Sequence, residues 1–92
     1  MFVHMKEPDM ERLLKPLASR RRLAILKYLR VSRRVNVTTI AEHIRLSLAA
    51  TSRHLRLLET SGYVDKEQEG LEMYYRIRED APSILAHILR LL

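Results

Sequence analysis

Cysteine is absent from the 92-residue chain, which excludes disulfide bonds, thiolate metal sites and a cysteine nucleophile. No apolar run approaches the roughly 20 residues of a membrane span. The first residues also lack the succession of a basic region, an apolar region and a cleavage site that defines a secretory signal peptide. We therefore expect a cytoplasmic protein. The sequence has neither a glycine-rich phosphate loop nor a Ser, His and acid set at an interpretable spacing. It therefore predicts neither an enzyme nor a bound cofactor.

Basic residues outnumber acidic ones, with 17 Lys and Arg against 11 Asp and Glu and a formal net charge of +6. Such a chain favours a polyanionic partner, with nucleic acid ahead of an anionic membrane surface. A membrane-binding helix would carry its basic and apolar sides together, and here they lie mostly on different helices, so we expect no membrane partner. The charge is uneven, because 13 of the basic residues but only 5 of the acidic ones lie within residues 1–62.

Residues 38–62 are typical of two short helices separated by a tight break. Apolar or small residues recur at helical spacing in both segments, as Ile40, Ala41 and Ile44 in the first and Thr51, Leu55 and Leu58 in the second. Ser47 is suited to cap the second helix, and Gly62 is suited to end it. The pattern predicts a first helix over 38–46 and a recognition helix over 47–61, which together form a helix-turn-helix.

The first helix of this pair has two candidate N-caps, Thr38 and Thr39, and Thr39 has capping-box spacing to Glu42. A helix before it is predicted from Ser19, as its N-cap, to about Arg30. The basic residues of that helix are Arg20, Arg21, Arg22, Lys27 and Arg30. They leave two interpretations open: a basic flank that touches phosphates, or a solvated charged face.

The outward side of the predicted recognition helix carries short polar and basic side chains, which can reach DNA bases and phosphates. Its first turn is apolar and can contact thymine methyl groups without donating hydrogen bonds. His54 leaves two alternatives open, a phosphate contact or half-buried packing beside Leu57 and Leu58. The predicted DNA-contacting residues are Thr38, Ser47, Leu48, Ala49, Ser52, Arg53, His54, Arg56 and Lys66. We expect specificity to depend on Ser52, Arg53 and Arg56 and on DNA shape.

A β-hairpin is predicted over residues 63–78, with one strand opening at Tyr63-Val64 and the turn at Glu69-Gly70. Met73, Tyr75 and Ile77 alternate along its second strand. A hairpin directly after a recognition helix forms the wing of a winged helix, and a short strand at Val35–Val37 would complete a three-stranded sheet. The wing is acidic, since Asp65, Glu67, Glu69 and Glu72 outnumber Lys66, and its tip should repel phosphate.

Both ends of the chain have apolar helical patterns, over residues 8–17 and 81–92. Pro8 can lie in the first turn of the first pattern, whereas Pro16 must end or kink it. The second pattern is predicted to begin with a cap at Asp80. The predicted interface residues are Met10, Leu13, Leu14, Leu17, Ile84, Leu85, Ile88 and Leu91. We expect these helices to form a two-fold homodimer, and the alternative is that they complete the protomer's own core.

These elements predict a single domain over residues 1–92, mainly α with a small β-hairpin (α+β), with the architecture of a winged helix-turn-helix. The function that this favours is sequence-specific binding of double-stranded DNA. The alternative is a protein–protein interaction module, because an acidic wing and an apolar start of the recognition helix would suit a protein surface.

Three motifs resemble those of the ArsR family of small dimeric winged-helix repressors of bacteria and archaea. Residues 17–26, Leu-Ala-Ser-Arg-Arg-Arg-Leu-Ala-Ile-Leu, are similar to the second helix of the family. Residues 52–58, Ser-Arg-His-Leu-Arg-Leu-Leu, match its recognition helix. Gly62-Tyr63-Val64, Gly70 and residues 74–77 are similar to its wing. The resemblance implies a homodimeric repressor whose two recognition helices enter successive major grooves of an inverted-repeat operator.

Departures from the family pattern bear on metal sensing. The family's cysteine-containing site precedes the recognition helix, where this chain has residues 35–40 without a metal ligand, so thiolate sensing is excluded. A second family site uses Asp and His on the C-terminal helices, and this chain offers only Asp80 and His87. We expect no metal there, with a capping Asp and an interface His instead. The alternatives for a releasing signal are a small molecule, a partner protein, temperature or none at all.

Overall fold

The computed structural model describes residues 4–92. Its helices are α1 (Glu7–Leu14), α2 (Arg20–Ser32), α3 (Val37–Ile44), α4 (Leu48–Thr60) and α5 (Ile84–Arg90), with a 3-10 turn at Lys15–Leu17. Its strands are β1 (Val35–Asn36), β2 (Val64–Glu69) and β3 (Glu72–Ile77). A helix-turn-helix followed directly by a β-hairpin is the winged helix-turn-helix that the sequence predicts, so the fold class is confirmed.

The three strands form one antiparallel sheet in the order β1-β3-β2. The hairpin register pairs Val64 with Ile77 at the base and Glu69 with Glu72 at the tip, where Gly70 has the positive φ of 64° that the turn requires. The short strand β1 adds to the other edge of β3, with Val35 opposite Tyr75. The sheet therefore connects the segment before α3 to the hairpin.

The hydrophobic core lies where α2, α3, α4 and α5 pack around the base of the sheet. Its most deeply buried members are Ile25, Leu26, Leu29, Ile40, Leu55, Leu58, Tyr63 and Val64. The apolar sides predicted for α3 and α4 both face this core. The outer side of α4 is thereby left toward solvent. Helix α1, by contrast, has no buried residue.

Four local predictions about helix ends are confirmed. Ser19 and Ser47 cap α2 and α4, with their hydroxyl oxygens accepting from the backbone N–H groups of Arg22 at 3.3 Å and Ala50 at 3.1 Å. Gly62 follows α4 with φ 84°. At the N-terminal end, Pro16 coincides with the change from α1 to the 3-10 turn, because a proline removes a backbone donor and crowds the preceding turn.

The start and end of α3 differ from the prediction. Asn36, rather than Thr38 or Thr39, is the N-cap, and its side chain accepts from the N–H of Thr39 at 2.8 Å. Strand β1 holds Asn36 in an extended conformation, which places its amide over the first turn of the helix. Val37, predicted to be in the strand, is therefore the first helical residue. The helix ends at Ile44 because Arg45 takes the left-handed conformation, with φ 56° and ψ 51°.

The predicted cap of the C-terminal helix is also wrong. Helix α5 begins at Ile84, and its N-cap residue Ser83 makes no capping hydrogen bond through its side chain. The Asp80 carboxylate accepts instead from the guanidinium of Arg78, at 2.7 and 3.0 Å. A charged guanidinium donor binds a carboxylate more strongly than a backbone N–H does. Asp80 therefore pairs with Arg78, two residues before it, and does not cap α5.

Candidate nucleic-acid interface

The turn between α3 and α4 sets the angle of the recognition helix. Arg45 ends α3, and the N–H of Leu46 donates to the carbonyl of Ala41 at 3.0 Å. Leu46 packs against the core, and Ser47 then caps α4. Because core contacts and backbone hydrogen bonds both hold this turn, α4 is fixed against α3 with its outer side toward solvent.

Helix α4 has two distinct sides. Thr51, Leu55 and Leu58 are buried, whereas Arg53 and Arg56 are exposed on the opposite side. Within residues 4–92, neither arginine has a carboxylate partner within salt-bridge distance. Their charges are therefore available to a polyanion in front of the helix.

The first turn of α4 is exposed, as base contact requires. Leu48 is 52% exposed and Ala49 also faces solvent. Thr38, in the first turn of α3, is exposed too. The free N–H groups and positive dipole end at such a helix start favour a phosphate oxygen. These three positions can all reach a ligand, and their DNA contacts stay predictions.

A crevice between α4 and the sheet brings together three of the predicted residues, Ser52, Arg56 and Lys66. Its volume is about 180 Å³. Glu59 also lines it, and its carboxylate lies 3.5 Å from the Lys66 ammonium. The single lysine of the wing is therefore partly neutralised by the recognition helix itself, which reduces the positive charge that the wing presents.

His54 lies on the side of α4 that faces α2 and is half-buried. Its Nδ1 is 3.2 Å from a guanidinium nitrogen of Arg22. Arginine can only donate, so Nδ1 accepts, and the ring proton is on Nε2. Burial lowers the pKa of His54, and the charges of Arg22, Arg53 and Arg21 lower it further. His54 is thus half-buried, as one alternative held, but its contact is with Arg22, and a phosphate contact could use only Nε2.

Several arginines of α2 have a role that neither sequence interpretation included. The guanidinium of Arg21 donates to the Ile44 carbonyl at the end of α3, at 2.9 Å. The guanidinium of Arg30 donates to the Leu89 carbonyl near the end of α5. Both donors bind carbonyls at helix C-termini, and the Leu89 carbonyl also accepts from the N–H of Leu92 at 3.2 Å. Arg21 and Arg30 therefore hold neighbouring helices on α2, and only the tertiary structure shows those contacts.

The acidic wing is held by an arginine outside the hairpin. The Arg34 guanidinium lies 2.9 Å from a Glu67 carboxylate oxygen and 3.3 Å from one of Glu69. It also covers the ring of Tyr74, with 3.9 Å from Cζ to the ring centroid. The hydrogen bond that Arg34 donates to Glu67 is the main cause that raises the pKa of Arg34. Arg34 directly precedes β1, and β1 pairs with the hairpin strand β3. That position in the sequence could have indicated that Arg34 lies beside the acidic wing.

The Asp and His residues that match the family's second metal site each have an arginine partner. Arg78 holds Asp80 and lowers the pKa of its carboxyl group. His87 Nδ1 lies 2.6 Å from a guanidinium nitrogen of Arg90, one turn further along α5. Over residues 4–92, the structure contains no cluster of three or more His, Cys, Asp and Glu side chains arranged to hold a metal ion.

The predicted interface residues divide into three groups by burial. Leu17 and Leu85 lie inside the protomer's own core and present almost no surface to a partner. Met10, Leu14 and Leu91 are 41%, 40% and 87% exposed. The others, Leu13, Ile84 and Ile88, are partly buried against the core. The exposed members belong to α1 and to the end of α5, so the two ends of the chain retain uncovered apolar surface.

The arrangement defines a class of protein. An exposed, basic recognition helix on a winged helix-turn-helix is a surface for the DNA major groove. The family model for the bacterial regulatory protein, arsR family, matches residues 19–66, which is just over half of the chain. This chain belongs to the ArsR family, and its family and fold are those of DNA-binding transcriptional regulators rather than enzymes. No helix within residues 4–92 is long and apolar enough to cross a membrane.

Comparison with individual proteins supports membership of the same family. The chain is 36% identical over 77 residues to the HTH-type transcriptional repressor SmtB of Mycobacterium tuberculosis, covering 84% of this chain but 54% of SmtB. It thus spans about half the length of the curated relatives it matches. A homodimeric winged helix-turn-helix domain from Mycobacterium bovis, a possible ArsR-family regulator, is 30% identical with TM-score 0.74, covering 99% of this chain and 85% of that domain. Reduced HlyU from Vibrio cholerae is 28% identical with TM-score 0.77, and the match covers 92% of this chain and 85% of the HlyU chain.

Proposed function

We propose that this chain is a homodimeric repressor that binds an inverted-repeat operator in double-stranded DNA through α4. The observation that carries the proposal is the exposed side of α4, where Arg53 and Arg56 lack carboxylate partners within residues 4–92. The matched relative SmtB is a transcriptional repressor, and the M. bovis neighbour is a homodimeric DNA-binding domain. A DNA partner also favours a cytoplasmic location.

The DNA contact is tested by the double variant Arg53→Ala with Arg56→Ala. Binding to the DNA upstream of the gene should fall by at least tenfold, because each contact from an arginine to a base or phosphate contributes on the order of 1–3 kcal/mol. The salt dependence of binding distinguishes phosphate contacts from base contacts. If the arginines contact phosphates, the variant dimer should show a slope shallower by about 4 in log K against log salt concentration, and if they contact bases the slope should change little.

The matched control is Lys15→Ala with Lys27→Ala, which removes the same charge from two exposed positions outside α4. We expect that control to bind with nearly the affinity of the unchanged protein. A double arginine variant that is folded, dimeric and equally tight on DNA would contradict the proposal.

The dimer is proposed to form through α1 and the end of α5, where Met10, Leu14 and Leu91 are exposed. An apolar stripe on a helix with no buried residue of its own needs a partner surface. Leu14→Glu should shift the protein toward monomers in sedimentation equilibrium. Val31→Glu is the control, because Val31 is 77% exposed on α2, outside the predicted interface.

A second candidate, a protein–protein interaction module, has one specific observation in its favour. Leu48 at the start of α4 and Leu71 at the wing tip are both exposed, and acidic residues lie beside Leu71. Under this alternative, loss of Arg53 and Arg56 would leave the partner contact intact. A change of Glu67 and Glu69 would weaken it.

A further inference from the structure

A crevice of about 690 Å³ lies between the C-terminal end of α2, the end of β3 and α5. Its walls combine arginines with apolar side chains. The arginines are Arg30, Arg33, Arg34, Arg76, Arg78 and Arg90. The main apolar residues are Leu29, Ile77, Leu85 and Leu89. A concave site of this size, with apolar and charged side chains in its walls, has the dimensions of a small-molecule pocket.

Half of these arginines already have carboxylate partners. Arg34 is bound to Glu67 and Glu69, whereas Arg76 and Arg78 are bound to Asp65. Within residues 4–92, the other three have no carboxylate within salt-bridge distance. They are Arg30, Arg33 and Arg90. Arg30 donates to the Leu89 carbonyl and Arg90 contacts Nδ1 of His87, and both contacts leave the guanidinium charge without a carboxylate. Glu79 is the only acidic residue among those that line the crevice. The crevice therefore retains a net positive charge that the described part of the chain does not neutralise.

The backbone at Arg33 is strained. Arg33 has φ 70° and ψ −69°, and the N–H of Arg34 donates to the carbonyl of Ser32 at 2.9 Å. These values define a γ-turn of the rare, positive-φ type, which is strained for a residue other than glycine. A glycine would adopt the turn without that strain, yet the position carries an arginine at the edge of the crevice.

We propose that this crevice binds a small organic anion, a carboxylate with an apolar body. The guanidinium groups without a carboxylate partner suit a ligand carboxylate, since arginine can donate two parallel hydrogen bonds to it. The leucines of the crevice suit the apolar body. An inorganic phosphate ion would leave that apolar lining uncovered, and acetate would cover little of it.

The crevice is separate from the proposed dimer surface. With about 100° per residue, Ala86 and Arg90 lie roughly 150° around α5 from Ile84, Ile88 and Leu91. A partner that covers the latter residues leaves the crevice open. The site can therefore fill in the dimer.

A bound anion would act on the wing, and this step depends on the proposed function. Arg78 joins the crevice to Asp65 at the start of β2, with 3.0 Å between guanidinium nitrogen and carboxylate oxygen. Arg34 likewise joins it to Glu67. A ligand carboxylate held by the other arginines also attracts Arg34 and Arg78, and so weakens their ion pairs with Glu67 and Asp65. Its binding changes the position and charge of the wing, and with them the DNA affinity.

The experiment is calorimetric titration of the full chain, without DNA, with octanoate and three comparison compounds. 1-Octanol has the apolar body without the charge, octylammonium has the opposite charge, and acetate has the charge without the body. We expect octanoate to bind one site per protomer and the other three to bind at least tenfold more weakly. Failure of DNA binding would not affect this measurement, so the two proposals fail independently.

The test variant is Arg33→Gly with Arg90→Gln, which removes two guanidinium groups that have no carboxylate partner within residues 4–92, while the glycine accommodates the γ-turn. Octanoate affinity should fall at least tenfold, as expected for loss of charge-assisted hydrogen bonds. Lys15→Ala with Lys27→Ala removes equal charge elsewhere and should bind octanoate normally. Equal binding of octanoate and 1-octanol, no binding of octanoate, or unchanged octanoate affinity in the folded test variant would overturn the proposal.

Discussion

The hydroxyl of Tyr63 donates a hydrogen bond of 2.7 Å to the carbonyl oxygen of Leu13. Tyr63 is fully buried just after the recognition helix, and Leu13 belongs to the last turn of α1. Burial raises the pKa of the Tyr63 hydroxyl, so it stays protonated and can donate. The contact joins the helix proposed for dimerisation to the end of the helix proposed for DNA binding.

Tyr63→Phe should lower the free energy of unfolding by about 1 kcal/mol, because the Leu13 carbonyl loses its buried donor. If α1 forms the dimer, the dissociation constant of the dimer should also rise about fivefold. Urea unfolding and sedimentation equilibrium measure the two effects. Tyr75→Phe is the control, since Tyr75 is buried but its hydroxyl makes no hydrogen bond within residues 4–92. Unchanged stability in the Tyr63 variant would mean that the bond contributes nothing.

Thr51→Val should stabilise the fold. The Thr51 hydroxyl is fully buried and has no hydrogen-bond partner within residues 4–92. Replacing a buried, unpartnered hydroxyl by a methyl group of similar shape should raise the free energy of unfolding by about 1 kcal/mol. Thr60→Val is the control, because the Thr60 hydroxyl donates to the Arg56 carbonyl at 2.9 Å on the surface. A destabilised Thr51→Val protein would contradict this account.

Stability should depend on pH through His54. Its pKa is lowered in the folded protein from the ordinary value of 6.5, so the unfolded chain takes up a proton at a higher pH than the folded one does. The contribution of neutral His54 is therefore fully present above about pH 6.5 and is lost as the pH falls below it. Urea unfolding from pH 8 to pH 5 measures this loss.

His54→Gln should flatten that pH dependence, because the glutamine amide oxygen can accept from Arg22 without titrating. His4→Gln, at an exposed position, should keep the original slope. If both variants retain the full slope, another group is responsible for it.

The acidic wing should weaken DNA binding. Glu67→Gln with Glu69→Gln removes two negative charges and frees the Arg34 guanidinium, so affinity for both operator and random duplex should rise at low salt. Stability should change by less than about 1 kcal/mol, because these pairs are largely exposed. Glu7→Gln with Glu11→Gln on α1 is the control for net charge. An unchanged affinity would indicate that the wing lies away from DNA.

The sequence alone predicted the elements whose causes are local. Ser19, Ser47 and Gly62 end or begin helices through hydrogen bonds and φ values set within a few residues. The helical spacing of apolar residues identified the buried sides of α3 and α4. The alternation along β3 identified the wing.

The sequence alone indicated the wrong N-cap where more than one residue could cap a helix, or where a candidate cap had another hydrogen-bond partner. Asn36 replaced both threonines as the cap of α3 because β1 fixes its backbone. Asp80 turned toward Arg78 instead of capping α5. In both cases the residue types were suitable, and a contact formed outside the helix decided between them.

What the sequence by itself determined about this protein is its fold class, its family and the basic outer side of its recognition helix, because periodicity, capping and motif spacing are all written along the chain. Only the tertiary structure decided which arginines have hydrogen-bond partners elsewhere in the fold. Arg22 meets His54 and Arg30 meets Leu89 across 32 and 59 residues of sequence. Such contacts depend on how α2 packs against α4 and α5. The same packing leaves Arg33 and Arg90 without a carboxylate partner within residues 4–92, beside a crevice that is partly apolar.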